Sequence, residues 1–361
     1  MTHAKQDSSK KHRMLWILGL IVAAFCLIVA GDALINKLGS STEEALPDSD
    51  RRALHELSIY TAAENDGDQA WKGISVTDHP ILVMSKESGY SYLVNPETPV
   101  RSLFATNITM RDNPGGLDVH RLSRLYPRLW GIKALGGSFN TIGETTTVLG
   151  NDVYYLRFDD SNLNADYSSE HFIAFLAHES FHYYGQNHWP ASSRFLEELR
   201  DDDYRLMSDK LALLDEVRAV TDAESPDEDR LRELATQLVA LEEQRLAANP
   251  AYVSAEQGME TIEGTAEYMG MAAADSVGYD YGVMYFDNTK DVPFADVLPM
   301  YRAGKLGEGF LRDRLPYETG AQLALLAHEL DPDGGWQDYL NEQSLEQPRT
   351  LIGALEHVLA G

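Results

Sequence analysis

The sequence predicts an α+β protein: one membrane-spanning helix, a mixed α/β region and a mainly helical C-terminal half. Three observations carry this. An uncharged apolar run opens the chain, short β-branched and aromatic stretches punctuated by turn residues occupy 51–164, and helical apolar periodicity takes over after 165. At 361 residues and 43% hydrophobic content, the chain can bury a substantial core.

The apolar run is MLWILGLIVAAFCLIVAG, residues 14–31. As a helix it spans about 27 Å, close to the hydrocarbon thickness of a bilayer. The basic cluster KKHR (10–13) precedes it, which predicts a cytoplasmic tail 1–13 and a body carried across the membrane. A cleaved signal peptide, with small residues at Ala30–Ala33, is the rival expectation. Residues 32–50, polar with Gly, Ser and Pro, read as a linker.

Charge is lopsided. Residues 1–40 carry +3, so a total of −27 leaves −30 on residues 41–361. That field repels phosphate backbones and excludes nucleic acid as a partner. A single cysteine, Cys26, excludes an intramolecular disulfide and any cysteine-rich metal site. A metal here would rest on histidine and carboxylate.

Within 51–164, ILVM (81–84) and GYSYLVN (89–95) read as strands and NPGG (113–116) as a turn. TTTVLGNDVYYLRF (145–158) reads as two strands about a Gly-Asn turn. From 165 on, Ser168 or Ser169 is placed to cap a helix through HFIAFLAHESFHYYGQ. A helical hairpin over 192–247 follows, its second arm opening at Ser225-Pro226-Asp227-Glu228 with Ser225 as cap. The stripe Leu231, Leu234, Leu238 and Leu241 predicts packing for that arm. Further helices are expected at 254–275, 317–330 and 349–359.

The chemistry concentrates in His178-Glu179-Ser180-Phe181-His182. Histidines four apart share one face of a helix and can aim imidazole nitrogens at one ion. Zinc suits two such nitrogens and leaves a position for water, whose pKa it lowers to about 7. Glu179 then serves as general base in peptide hydrolysis, without being a ligand.

Two third ligands are open. His188 completes HExxHxxGxxH with Gly185, which resembles the metzincins and implies closure by His188. Alternatively, METIEGTAEYMG (259–270) resembles the glutamate segment of gluzincins, the thermolysin-like and alanyl aminopeptidase-like peptidases. That resemblance implies a zincin-type catalytic region over 165–361, Glu263 as third ligand and Glu267 as the carboxylate orienting a ligand histidine. YETGA (317–321) resembles the family's YEKGA segment, with Thr319 in place of the lysine, and implies Tyr317 as donor to the oxyanion. The order of the three segments favours Glu263. The gap of 81 residues from His182 to Glu263 is far longer than in alanyl aminopeptidases, and the hairpin fills it. No GAMEN-type segment lies upstream.

The expected protein is therefore a membrane-anchored, extracytoplasmic zinc metallopeptidase acting on a peptide or protein substrate. A non-catalytic anchored scaffold on the same fold is the alternative, against which the base Glu179 speaks.

Overall fold

The computed structural model describes residues 3–192, 199–286 and 288–361. The chain divides into two compact units: residues 1–51, 78–140 and 144–159, and residues 52–77, 141–143 and 160–361. Residues 52–77 belong with the helical unit. The reason is Trp71, which is fully buried and packs 4.7 Å from the Phe181 ring and 5.1 Å from Trp336. Its neighbour Lys72 donates its backbone N–H to Gln337 at 2.7 Å.

In the first unit, helix α1 runs His3–Leu38. Its His12–Leu38 portion, with mean hydropathy 2.7, is long and apolar enough to cross a membrane, and it is the one such helix among the described residues. The expected linker 32–50 is not a free stalk. The C-terminal turns of α1 bond to the sheet: Asp32 accepts from Leu125 N at 3.1 Å, Asn36 accepts from Arg121 Nε at 2.9 Å, and Lys37 donates to Ala105 O at 2.8 Å. Helix α2, Asp48–Asp66, follows; from Arg52 on it belongs to the second unit.

The sheet has strands β1 (Ile81–Ser85), β2 (Ser91–Val94), β3 (Ala105–Ile108), β4 (Val119–Leu122), β5 (Thr146–Val148) and β6 (Asn151–Phe158), in the order β3-β4-β2-β1-β6-β5. All pairs are antiparallel except β1–β6. Every residue of β1 is buried, as expected of a central strand covered on both faces. The NPGG turn forms, with Gly116 N–H on Asn113 O. The β5–β6 turn is Leu149-Gly150 rather than Gly-Asn: both have positive φ (50° and 84°), and Asn151 pairs with Val148 in the ladder. Two left-handed residues match the twist of a tight hairpin. Helix α3, Pro127–Leu135, completes this unit.

The second unit is helical: α4 (Ser161–Asn164), α5 (Phe172–Tyr184), α6 (Asp201–Thr221), α7 (Glu228–Ala248), α8 (Pro250–Ser276), α9 (Val297–Arg302), α10 (Leu315–Leu330), α11 (Gly335–Asn341) and α12 (Leu351–Ala360). Neither Ser168 nor Ser169 caps α5, whose N-cap is His171; Ser168 Oγ instead accepts from Glu170 N. Helix α7 is capped by Asp227, which accepts from Arg230 N at 3.0 Å, so the Ser225-Pro226 pair lies before the cap. The hairpin is α6 and α7; residues 193–198 of its expected first arm lie outside the described residues. Leu231, Leu234, Leu238 and Leu241 are all buried, so the stripe packs as the periodicity predicts.

Between the hairpin and α8 lies a buried charge network. Lys210 Nζ reaches Glu260 at 2.5 Å, Glu242 at 3.2 Å and Glu256 at 3.5 Å, and Arg245 bridges Glu242 and Glu256. Burial works against the Lys210 charge, but the three carboxylates outweigh it and raise its pKa. Thr319 of α10 donates to the same Glu260 oxygen at 2.6 Å.

Helices α8 and α10 cross at Gly264 and Gly320. A Cβ on either glycine would fall inside the other helix's backbone. This accounts for glycine in both EGTA and YETGA: the close approach sets how near the two segments lie. Gly320→Ala should therefore destabilise the protein by about 1–3 kcal/mol, read as a lower denaturant midpoint. The helix-propensity gain of about 1 kcal/mol for alanine would not reverse the sign, because backbone cannot rotate out of the way.

Candidate metal centre

Helix α5 carries the HESFH stretch with an apolar face of Phe172, Leu176 and Phe181 buried in the core. His178 and His182 consequently project together towards α8, one turn apart. Helix α8 presents Glu263 and Glu267 to them, also one turn apart. Gly270 on α8 lets the α5 backbone approach: a Cβ there would meet Ala174 O at 3.0 Å and His178 Cβ at 3.6 Å.

The three atoms His178 Nε2, His182 Nε2 and Glu263 Oε2 form a small triangle. Its edges are 3.2 Å between the nitrogens, 3.2 Å from His182 to Glu263 and 3.7 Å from His178 to Glu263. Tetrahedral zinc with ligands at about 2.0–2.1 Å separates its donors by roughly 3.3–3.4 Å. The residues therefore fit the ion in both spacing and chemistry, two imidazoles and one carboxylate being a zinc donor set. Among the described residues this is the one such cluster of histidine, cysteine and carboxylate groups.

Behind the triangle stand the groups that hold it. Glu267 Oε2 lies 3.0 Å from His178 Nδ1, so that nitrogen carries the proton and Nε2 faces the triangle. Glu267 is itself held by the Tyr281 hydroxyl and by Arg314 Nη2 at 3.2 Å. Burial opposes its charge, but Arg314 first and His178 next keep its pKa low. Burial likewise opposes charge on His178, yet Glu263 and Glu267 together raise it to about 10. Such a field draws in a cation. Arg314 ends a π-helical turn, Phe310–Arg314, immediately before α10.

Glu179 is half-buried, and burial pushes its carboxyl up against the pull of His178 and His182. Tyr317 stacks parallel to His178, with centroids 5.8 Å apart and 6° between planes. The Arg314 guanidinium lies 5.6 Å from the Tyr317 ring centroid. The six side chains expected from the sequence, His178, Glu179, His182, Glu263, Glu267 and Tyr317, come from three separated segments and lie together.

His188 does not join them. It is exposed and its Nε2 lies 3.2 Å from Asn341 O. Gly185 has φ −84° and ψ −42°, so it does not turn the chain back towards the triangle. Glycine is needed there because a Cβ would collide with the Phe181 ring. The pattern HExxHxxGxxH is thus met in letters but not in space.

Three contributors escaped sequence reasoning. Gln186 contacts His182 Nδ1 at 2.6 Å, and Tyr281 and Arg314 hold Glu267. Gln186 carried a local signal, being one turn past His182 on the same face. Tyr281 and Arg314 carried none, since only the tertiary fold brings them to α8. Comparison of the chain with protein-family models, with curated proteins and with solved structures finds no match.

Proposed function

We propose that this chain is a membrane-anchored zinc metallopeptidase of the gluzincin type. His178, His182 and Glu263 hold the zinc, and Glu267 orients His178. The observation that carries the reading is the triangle of donor atoms at tetrahedral spacing, with Glu179 beside it. A purely structural zinc site is closed by four protein ligands and has no use for a base. When bound, zinc supplies Lewis acidity, polarising a carbonyl and making water easier to deprotonate. Glu179 accepts the proton from the attacking water and passes it to the departing amine. Its raised pKa brings it nearer the working range for that transfer. Tyr317, stacked beside His178, donates its hydroxyl to the charge that develops on the carbonyl oxygen.

In this reading α1 anchors the chain with its basic N-terminus in the cytoplasm and the acidic body outside. The substrate is a peptide or protein. Peptide-library cleavage by the full-length protein in detergent, with and without a zinc chelator, tests the proposal. Cleavage abolished by chelator and restored by zinc is expected; chelator-resistant cleavage, or zinc binding with no cleavage, would count against it. Tyr317→Phe should lower kcat by about 10²–10³-fold with KM little changed, measured on the best library peptide.

A further inference from the structure

We infer that Gln186 is the positioning residue that fixes which nitrogen of His182 faces the metal and ties that ligand to the helix bearing Glu263. This rests on the metal centre proposed above. An amide side chain can be turned either way, so its orientation has to follow from its partners. Here the partners decide. Gln186 Nε2 lies 2.9 Å from Ile262 O, which can only accept, and 2.8 Å from Thr265 Oγ1. The Thr265 hydroxyl proton is committed to Thr261 O at 2.6 Å, so its oxygen accepts from Gln186 as well. Both amide protons of Gln186 are therefore spent on α8. Turning the amide over would set its oxygen against the Ile262 carbonyl, two acceptors facing each other.

With that settled, Gln186 Oε1 is what meets His182 Nδ1 at 2.6 Å, and an oxygen there requires a proton on Nδ1. The lone pair of His182 Nε2 is then the one directed at Glu263 and at His178 Nε2. Gln186 is buried, at 3% exposure, so water does not substitute for it. The acceptors on α8 lie within two residues of Glu263 in sequence. One side chain thus holds the His182 tautomer and fastens the end of α5 to the turn of α8 that carries the third ligand. Glu267 plays the corresponding part for His178, and the two supports are independent.

The test is the full-length chain loaded with cobalt(II), a spectroscopic substitute for zinc. The Nδ1–H of each ligand imidazole then gives its own paramagnetically shifted proton signal, whose exchange with water reports its hydrogen bond. The wild type should show two slowly exchanging signals. Gln186→Met, which keeps side-chain length but offers no strong acceptor, should retain one and lose the other to fast exchange. Its zinc affinity, read by chelator competition, should fall about 10–100-fold. Gln186→Glu keeps an oxygen towards His182 but sets its other oxygen against the Ile262 carbonyl, so it should retain the slow signal while lowering stability. Two slow signals and unchanged zinc affinity in Gln186→Met would overturn the inference. Should that variant not fold, the wild type alone decides, because one rapidly exchanging signal in it would be contrary. A chain that binds neither cobalt nor zinc would overturn the metal centre itself, a result distinct from a loaded centre indifferent to Gln186.

Discussion

Glu179→Gln is expected to lower kcat on a cleaved peptide by about 10²–10⁴-fold while one zinc per chain is retained. The variant removes the carboxylate to which the proton transfer is assigned, which lies beside His178 and His182 but outside the ligand triangle. Glutamine has the same shape and still accepts a hydrogen bond, so the fold and the ion should persist. What it lacks is basicity. Steady-state kinetics paired with metal content separates the two: lost turnover with zinc kept supports the assignment, whereas turnover equal to wild type would remove Glu179 from the mechanism.

Lys210→Met should destabilise the protein by about 3–5 kcal/mol, the range for removing one partner of a buried ion pair. Lys210 is 1% exposed and is the shared cation of Glu242, Glu256 and Glu260, which are also buried. Without it, Arg245 still bridges Glu242 and Glu256, and Glu260 loses the cation it shares with them. Burial already pushes Glu260 upward against the pull of Lys210, so in the variant Glu260 should take up a proton. The loss should therefore be smaller at acidic pH, where that proton is freely available. Denaturant titrations at pH 5 and pH 8 would show it; a loss independent of pH, or under about 1 kcal/mol, would contradict the network's role. Because Glu260 is one turn before Glu263 on α8, zinc affinity is expected to weaken together with stability.

Parts of this molecule were legible from local spacing alone. The pair His178 and His182 needs only a helix to converge, and α5 provides it. The stripe Leu231 to Leu241 needs only a neighbour to bury against. Glu263 was different: in so acidic a chain its spacing said little, and the resemblance of EGTA to a family segment drew attention to it. Gly264 and Gly320, one in each of the two resembling segments, allow α8 and α10 to cross closely and so bring the segment of Glu263 beside that of Tyr317.

Other features depended on contacts distant in sequence. Strands β3 and β4 escaped notice because Thr106, Asn107, His120 and Arg121 break any alternation; the sheet recruits them through Asn36 and Asp118. Segment 52–77 adjoins the sheet region in sequence, but Trp71 packs among Phe181, Trp189 and Trp336, contacts no local pattern encodes. Ser225-Pro226 and Asp227 both satisfied helix-start chemistry, and the residue nearer the first helical turn prevailed. His188 matched a pattern whose meaning depends on how Gly185 turns, and packing of Phe181 fixes that turn otherwise.

The proposed function stands on His178, His182 and Glu263 as the ligands of one zinc ion. The most direct measurement is the metal content of the full-length protein, purified without added metal, for wild type, Glu263→Ala and His188→Ala. One zinc per chain is expected in wild type and in His188→Ala, and its loss in Glu263→Ala. Zinc retained without Glu263 but lost without His188, or no zinc in the wild type, would contradict it.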